Sequence, residues 1–202
     1  MHPKHTKDKG KSSGNPQAVR TLSGVTECRS MIDYVRKILN GQFGAAFAML
    51  NEAMERCPEQ RWDEKIAKFP FWQIAYHTLC FVDLYLSPSE EAFQPRDLHP
   101  RGREEFDFPS RRFGRRELTA YVAICRQKAA DALAIETFET LQSGSGFPWL
   151  PISRGELHIY NIRHIQHHAG QLGAFLRRTD EALQAPKALN WVKTGWQQPV
   201  EL

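Results

Sequence analysis

No stretch of this chain reaches the roughly 18 uninterrupted apolar residues of a membrane-spanning helix, which argues against a helical membrane protein. The N-terminus has no apolar core of the kind a secretory signal carries. Paired-cysteine spacing is missing too. Cys28, Cys57, Cys80 and Cys125 are scattered with no CxxC, so each reads as a small, reduced core residue. There is no internal repeat and no period-two alternation of useful length, which turns the reading away from β architectures. No GxxxxGK[ST] loop is present to cradle phosphates. Ser143-Gly-Ser-Gly lacks the GxSxG spacing and the preceding strand of a nucleophile elbow. Together these absences describe an ordinary cytoplasmic globular protein.

Charge excess is missing as well, except at one end. The net charge of +4 is accounted for by residues 1–20, where Lys4, Lys7, Lys9, Lys11 and Arg20 face Asp8 alone. The remaining 182 residues hold 22 bases and 22 acids. The first segment is polar and rich in Lys, Ser, Gly and Pro, too poor in apolar side chains to offset the entropy of ordering. It predicts a disordered basic tail over 1–24, followed by one domain over 25–180 and a loose C-terminal tail over 181–202 containing Trp191 and Trp196.

What is present is helical periodicity. From about Thr26 to Arg56, the apolar residues Met31, Ile32, Val35, Ile38, Leu39, Phe43, Phe47, Leu50 and Met54 recur mostly in steps of three and four. A charged stretch, Glu59 to Lys68, predicts a small helix. Pro70 to Leu86 is apolar nearly all round, with Pro70 at the first helical position and Pro88 stopping the far end. Residues 88–114 form a loop long enough to be functional or disordered. A third helix is predicted from about Arg115 to Leu141, and a fourth from about Ser153 to Arg178. Four long amphipathic helices predict an all-α four-helix bundle.

Within the fourth helix, His164 and His168 stand four residues apart and therefore lie one above the other on one face. Two imidazoles on one rigid helix make half a site for a late first-row divalent metal. His77, mid-helix among Ile74, Ala75, Leu79 and Phe81, is the nominee for a third ligand; taken alone, a hydrogen-bonded core histidine is the preferred reading, and the His164/His168 pair is what shifts it. Cys80, one turn further on, is within reach of a fourth position, but an inert buried thiol is the preferred reading. His167 points about 100° away from His168 and is no ligand. His158 lies off the stripe, in a surface or hydrogen-bonding role. Tyr160 and Gln171 fall on the stripe, one turn either side of the pair, where they can orient a ligand imidazole or a water; for Tyr160 core packing is an equal reading. Ile165 follows His164 where HExxH requires Glu, so that protease base is missing. Seven arginines between 96 and 116 lie near Phe106, Phe108 and Phe113, but four acids in the same loop partly cancel them; a solvated loop is the preferred reading over a nucleic-acid interface.

Tyr76-His77-Thr-Leu, Glu117-Leu-x-x-Tyr121 and His164-x-x-x-His168-Ala-Gly-Gln171-Leu, in this order, resemble the DinB/YfiT-like metal-binding superfamily over most of residues 27–178. The segment from Glu156 to Leu172 is the most specific part of the likeness. The resemblance implies that His77, His164 and His168 hold one divalent ion, zinc or nickel. It implies a small-molecule substrate and a low-molecular-weight thiol such as mycothiol, bacillithiol or glutathione, since relatives include transferases and isomerases using such thiols. It leaves a homodimer open, and neither nucleic acid nor membrane is an expected partner. Three readings follow: a metal-dependent enzyme activating a thiol or water, a non-catalytic metal-stabilised binding or stress-response protein, and a plain helical bundle without metal.

Overall fold

A computed structural model of the chain describes residues 16–179, with side chains described from Met31 to Arg178. The expected tails before residue 16 and over 181–202, Trp191 and Trp196, and the side chain of Cys28 lie outside the described residues. Four long helices dominate: α1 (Pro16–Arg56), α2 (Phe71–Tyr85), α3 (Arg115–Ile135) and, after the short α4 (Phe138–Gln142), α5 (Arg154–Thr179). Helix α1 packs along α3 and α5, and α2 along the same two, whereas α1 and α2 barely touch. The cyclic order is therefore α1–α3–α2–α5, an all-α four-helix bundle with α1 and α2 on a diagonal.

The predicted stripes form the core. Phe43, Phe47, Leu50 and Met54 of α1 meet Tyr76, Leu79 and Val82 of α2, Leu118, Tyr121 and Cys125 of α3, and Leu157, Ile165 and Leu172 of α5, all buried. Cys57, Cys80 and Cys125 are buried, unpaired thiols, as expected. No helix among the described residues is long and apolar enough to cross a membrane.

Four departures from the periodicity stand out. The first helix begins at Pro16, ten residues before the apolar stripe suggests. The stretch after α1 holds only a 3-10 turn at Glu59–Arg61, then a hairpin of β1 (Lys65–Ile66) and β2 (Phe69–Pro70). This turn is pinned by the fully buried Trp62, whose Nε1 donates to the Phe113 carbonyl at 2.9 Å. Pro70 pairs across that hairpin with Lys65 and caps α2 in an extended conformation, so the helix starts at Phe71, one residue after the expected position. The predicted third helix breaks at Glu136, whose backbone turns extended. The break lets the buried Glu136 carboxylate accept from Arg154 Nε at 2.9 Å and Thr140 Oγ1 at 2.6 Å, with His158 Nε2 at 2.8 Å. Thr137 restarts the chain as α4 through a reciprocal capping box with Thr140.

The long loop from 88 to 114 is anchored rather than loose. Buried Asp83 of α2 accepts from Arg96 Nε and Lys128 Nζ, each at 2.6 Å, and from the Tyr121 hydroxyl at 3.0 Å. Burial alone would raise the Asp83 pKa; the bonds from Arg96 and Lys128 outweigh it and hold the carboxyl below its ordinary value. Gly146, at φ 83°, presses against the turn at Pro88, where a Cβ would come within 2.1 Å of the Pro88 oxygen. Only glycine fits there.

Candidate metal centre

Three imidazoles from two helices converge beside the loop. One ring nitrogen each from His77, His164 and His168 lie within 4.8 Å of one another, the only such group of three or more potential ligands among the described residues. The ring centroids of His77 stand 5.6 Å from His164 and 5.1 Å from His168, and those of His164 and His168 are 4.6 Å apart. The i, i+4 spacing on α5 brings the last two together, and Nε2 of His164 faces Nε2 of His168 at 3.1 Å.

The partners of these rings decide which nitrogens are free. Gln171 Oε1 can only accept, so His168 Nδ1–H donates to it at 2.8 Å, while the Gln171 amide nitrogen donates to His167 Nε2 at 3.1 Å. His168 Nε2 then carries a lone pair turned into the cluster. On α2, His77 Nδ1 meets the Asp107 carboxylate at 2.8 Å, which places its proton on Nδ1 and frees Nε2. Burial, reinforced by the neighbouring imidazoles, pushes the His164 pKa down to about 3. Burial also brings His168 down to about 4, against an upward pull from Gln171. Both rings are therefore neutral at physiological pH, the state that metal ligation requires.

The donor set fits a divalent ion of the zinc class. Tetrahedral coordination at about 2.0–2.1 Å puts neighbouring donors about 3.3–3.4 Å apart; the facing Nε2 atoms of His164 and His168 are already at 3.1 Å. Two neutral nitrogens pointing at each other have no better shared partner than a cation or a single proton. No fourth His, Cys, Asp or Glu joins the group among the described residues. Cys80 turns elsewhere: its sulfur lies 3.4 Å from His99 Nε2, and burial pushes its thiol pKa well up. Metal ligation through three histidines leaves a coordination position open.

One expectation about the surroundings needs adjusting. His77 is not deep in the core; its side chain keeps 26% of its exposure because α2 meets a cavity at this face. That cavity, about 570 Å³, is bounded by the β1–β2 hairpin, α2, Asp107 and the last turns of α5, with His77 and His168 in its wall. Tyr160 packs edge-on against Tyr85 at 5.6 Å between centroids and lines a smaller opening with His164 and His167. His158, off the stripe as expected, is completely buried on Glu136. His167 stays exposed and outside the group.

Asp107 is the residue that sequence reasoning missed. It comes from the long loop, thirty positions from His77, with nothing in its spacing to link them. Its place is set by its own carbonyl, which accepts from Gln73 Nε2 at 2.6 Å, and by Arg101, which donates to the next carbonyl, Phe108 O, at 2.6 Å. The same loop disperses its positive charge. Arg96, Arg101, Arg103, Arg111, Arg112 and Arg115 each pair with a carboxylate, on Asp83, Glu105, Glu90, Glu117, Asp63 and Glu59 respectively.

Residues 42–172 match a family model described as the DinB superfamily. No curated protein and no solved structure matches the chain.

Proposed function

Because this chain belongs to the DinB superfamily and gathers three histidines on its bundle, we propose that it is a metal-dependent enzyme whose His77, His164 and His168 hold one zinc or nickel ion. Its nucleophile is a low-molecular-weight thiol, with water as the alternative. A bound ion of this kind supplies Lewis acidity, lowering the pKa of a ligating thiol or water toward neutrality. The observation that carries the proposal is the three-histidine group with no fourth protein ligand among the described residues, two of its members, His77 and His168, lining a substrate-sized cavity.

The chain's own residues prepare that position. Asp107 holds the His77 Nδ1 proton and so fixes both the tautomer and the plane of the ring. Gln171 does the same for His168. Helix α5 keeps His164 in an apolar setting that disfavours its protonation.

The test begins with metal analysis of protein purified without a His tag. About one divalent ion per chain is expected, and its loss in the His164→Ala/His168→Ala double variant. Protein that stays metal-free under metal-replete conditions refutes the proposal. With cobalt in the site, adding thiols is expected to perturb the visible spectrum and to accelerate conjugation of an electrophile. A spectrum indifferent to every thiol, with ester or amide hydrolysis observed, assigns water as the nucleophile. Metal without either reaction leaves the non-catalytic binding protein as the correct reading.

A further inference from the structure

The cavity beside the histidines has a charge pattern that the metal centre does not require. It runs along one face of α5, where His168, Gln171, Phe175 and Arg178 follow one another at steps of three and four. From His168 to Arg178 is about 15 Å of helix rise, the reach of roughly twelve bonds of extended chain. Its flanks are apolar, built from Phe69, Ile74 and Phe175. Lys68, at the tip of the hairpin, and Arg178, in the last turn of α5, line the same space.

Neither cation has an ion-pair or hydrogen-bond partner among the described residues, in a molecule that pairs most of the arginines of its long loop. The last turn of a helix is a favourable place for Arg178 in its own right. That explanation does not extend to Lys68, which follows Ala67, a non-glycine residue held at φ 57°. The hairpin tolerates this strained backbone at the turn that brings Lys68 to the cavity edge. The acid in the lining, Asp107, is engaged by His77. With Lys68 and Arg178 against the single acid Asp107, the described lining residues carry net positive charge, which draws anions toward the cavity.

We propose that this cavity binds a carboxylate carrying an apolar chain. The carboxylate sits on Lys68 and Arg178, the chain lies against Phe69, Ile74 and Phe175, and its far end reaches His77 and His168. Such a molecule is the second substrate of the enzyme, so the assignment deepens the metal-dependent reading and rests on it for its catalytic meaning, although binding itself needs only the cavity. A volume of about 570 Å³ is in the range of small-molecule sites.

Calorimetric titration of the full chain with decanoate, decanol and decylamine tests this, on metal-loaded and metal-stripped samples. Decanoate is expected to bind at least about tenfold more tightly than decylamine in both samples, and less tightly as salt is raised. Lys68→Gln/Arg178→Gln is expected to weaken decanoate about tenfold and to leave decanol unchanged, which also shows that the variant is folded. Equal affinity for the carboxylate and the amine, no binding of any of the three, or decanoate affinity untouched by the double variant would each overturn the assignment. The two proposals fail separately: a charge-selective cavity in a protein that holds no metal removes the enzyme and keeps the site, while one bound ion beside a cavity indifferent to charge does the reverse.

Discussion

Removing the carboxylate behind His77 is the sharpest perturbation of the proposed centre. Asp107→Ala deletes the acceptor of the His77 Nδ1 proton, a contact of 2.8 Å, while touching none of the three imidazoles. Outer partners of metal-binding histidines are typically worth 10–100-fold in metal affinity. The Asp107 side chain is about half exposed, so water replaces part of what is lost and the low end applies. The expected loss is about tenfold, or about 1.4 kcal/mol. The loop itself should stay in place, since Asp107 is also held through its carbonyl by Gln73 and its neighbour through Arg101. Competition of zinc with a chromogenic chelator measures the change. Asp107→Asn, which keeps an oxygen acceptor but not the charge, should recover part of the affinity. Gln171→Ala acts on a different ring, His168, and should lower zinc affinity in its own right. If Asp107→Ala leaves zinc affinity unchanged with the fold intact, the contact does not orient a ligand and the reasoning about His77 is wrong.

Other consequences concern stability. His164 and His168 have pKa values depressed to about 3 and about 4, and His99, again chiefly by burial, to about 4. The unfolded chain binds more protons below its ordinary histidine pKa of about 6.5, so metal-free protein should lose stability steadily as pH falls from 6.5 to about 4, read as a falling Tm. A Tm flat across that interval would contradict the buried, neutral assignment. Glu136 works at lower pH: burial raises its pKa, but bonds from His158, Thr140 and Arg154 outweigh this and hold it at about 2, so its contribution is complete above about 4.5 and disappears as pH falls through 2. Glu136→Gln should cost about 3–5 kcal/mol in urea unfolding at pH 7, because the buried Arg154 loses its carboxylate partner. Gly146→Ala, which combines a positive φ with a Cβ driven onto the Pro88 oxygen, should lower the Tm by several degrees through at least about 1–2 kcal/mol.

Which parts of this molecule could be read from its sequence follows from where periodicity operates. The stripes through Phe43–Met54 and Leu157–Leu172 specify the bundle because a helix repeats its buried face every three or four residues, and the same repeat superimposes His164, His168 and Gln171 on one face. His77 could be nominated as a third member because it interrupts an apolar helix. Its partial exposure could not be foreseen, since the cavity beside it is enclosed by a hairpin and a loop without helical repeat. The break at Glu136 has the same origin: local propensity continues the helix toward Leu141, but a buried carboxylate shared with Arg154 and His158 outweighs it, and both partners lie about twenty residues further on. Asp107 is the clearest case, being one acid among four in a loop rich in arginine. Its role arises only because Gln73 of α2 holds its carbonyl and Arg101 holds the carbonyl that follows. The histidines that define the centre therefore lie on regular helices, where spacing reveals them, while the groups that tune and cover it lie on irregular segments. Chemistry specific to this chain is accordingly expected to reside in the hairpin and the long loop, and exchanging Lys68 or Asp107 should alter ligand preference and metal affinity while the four helices remain as they are.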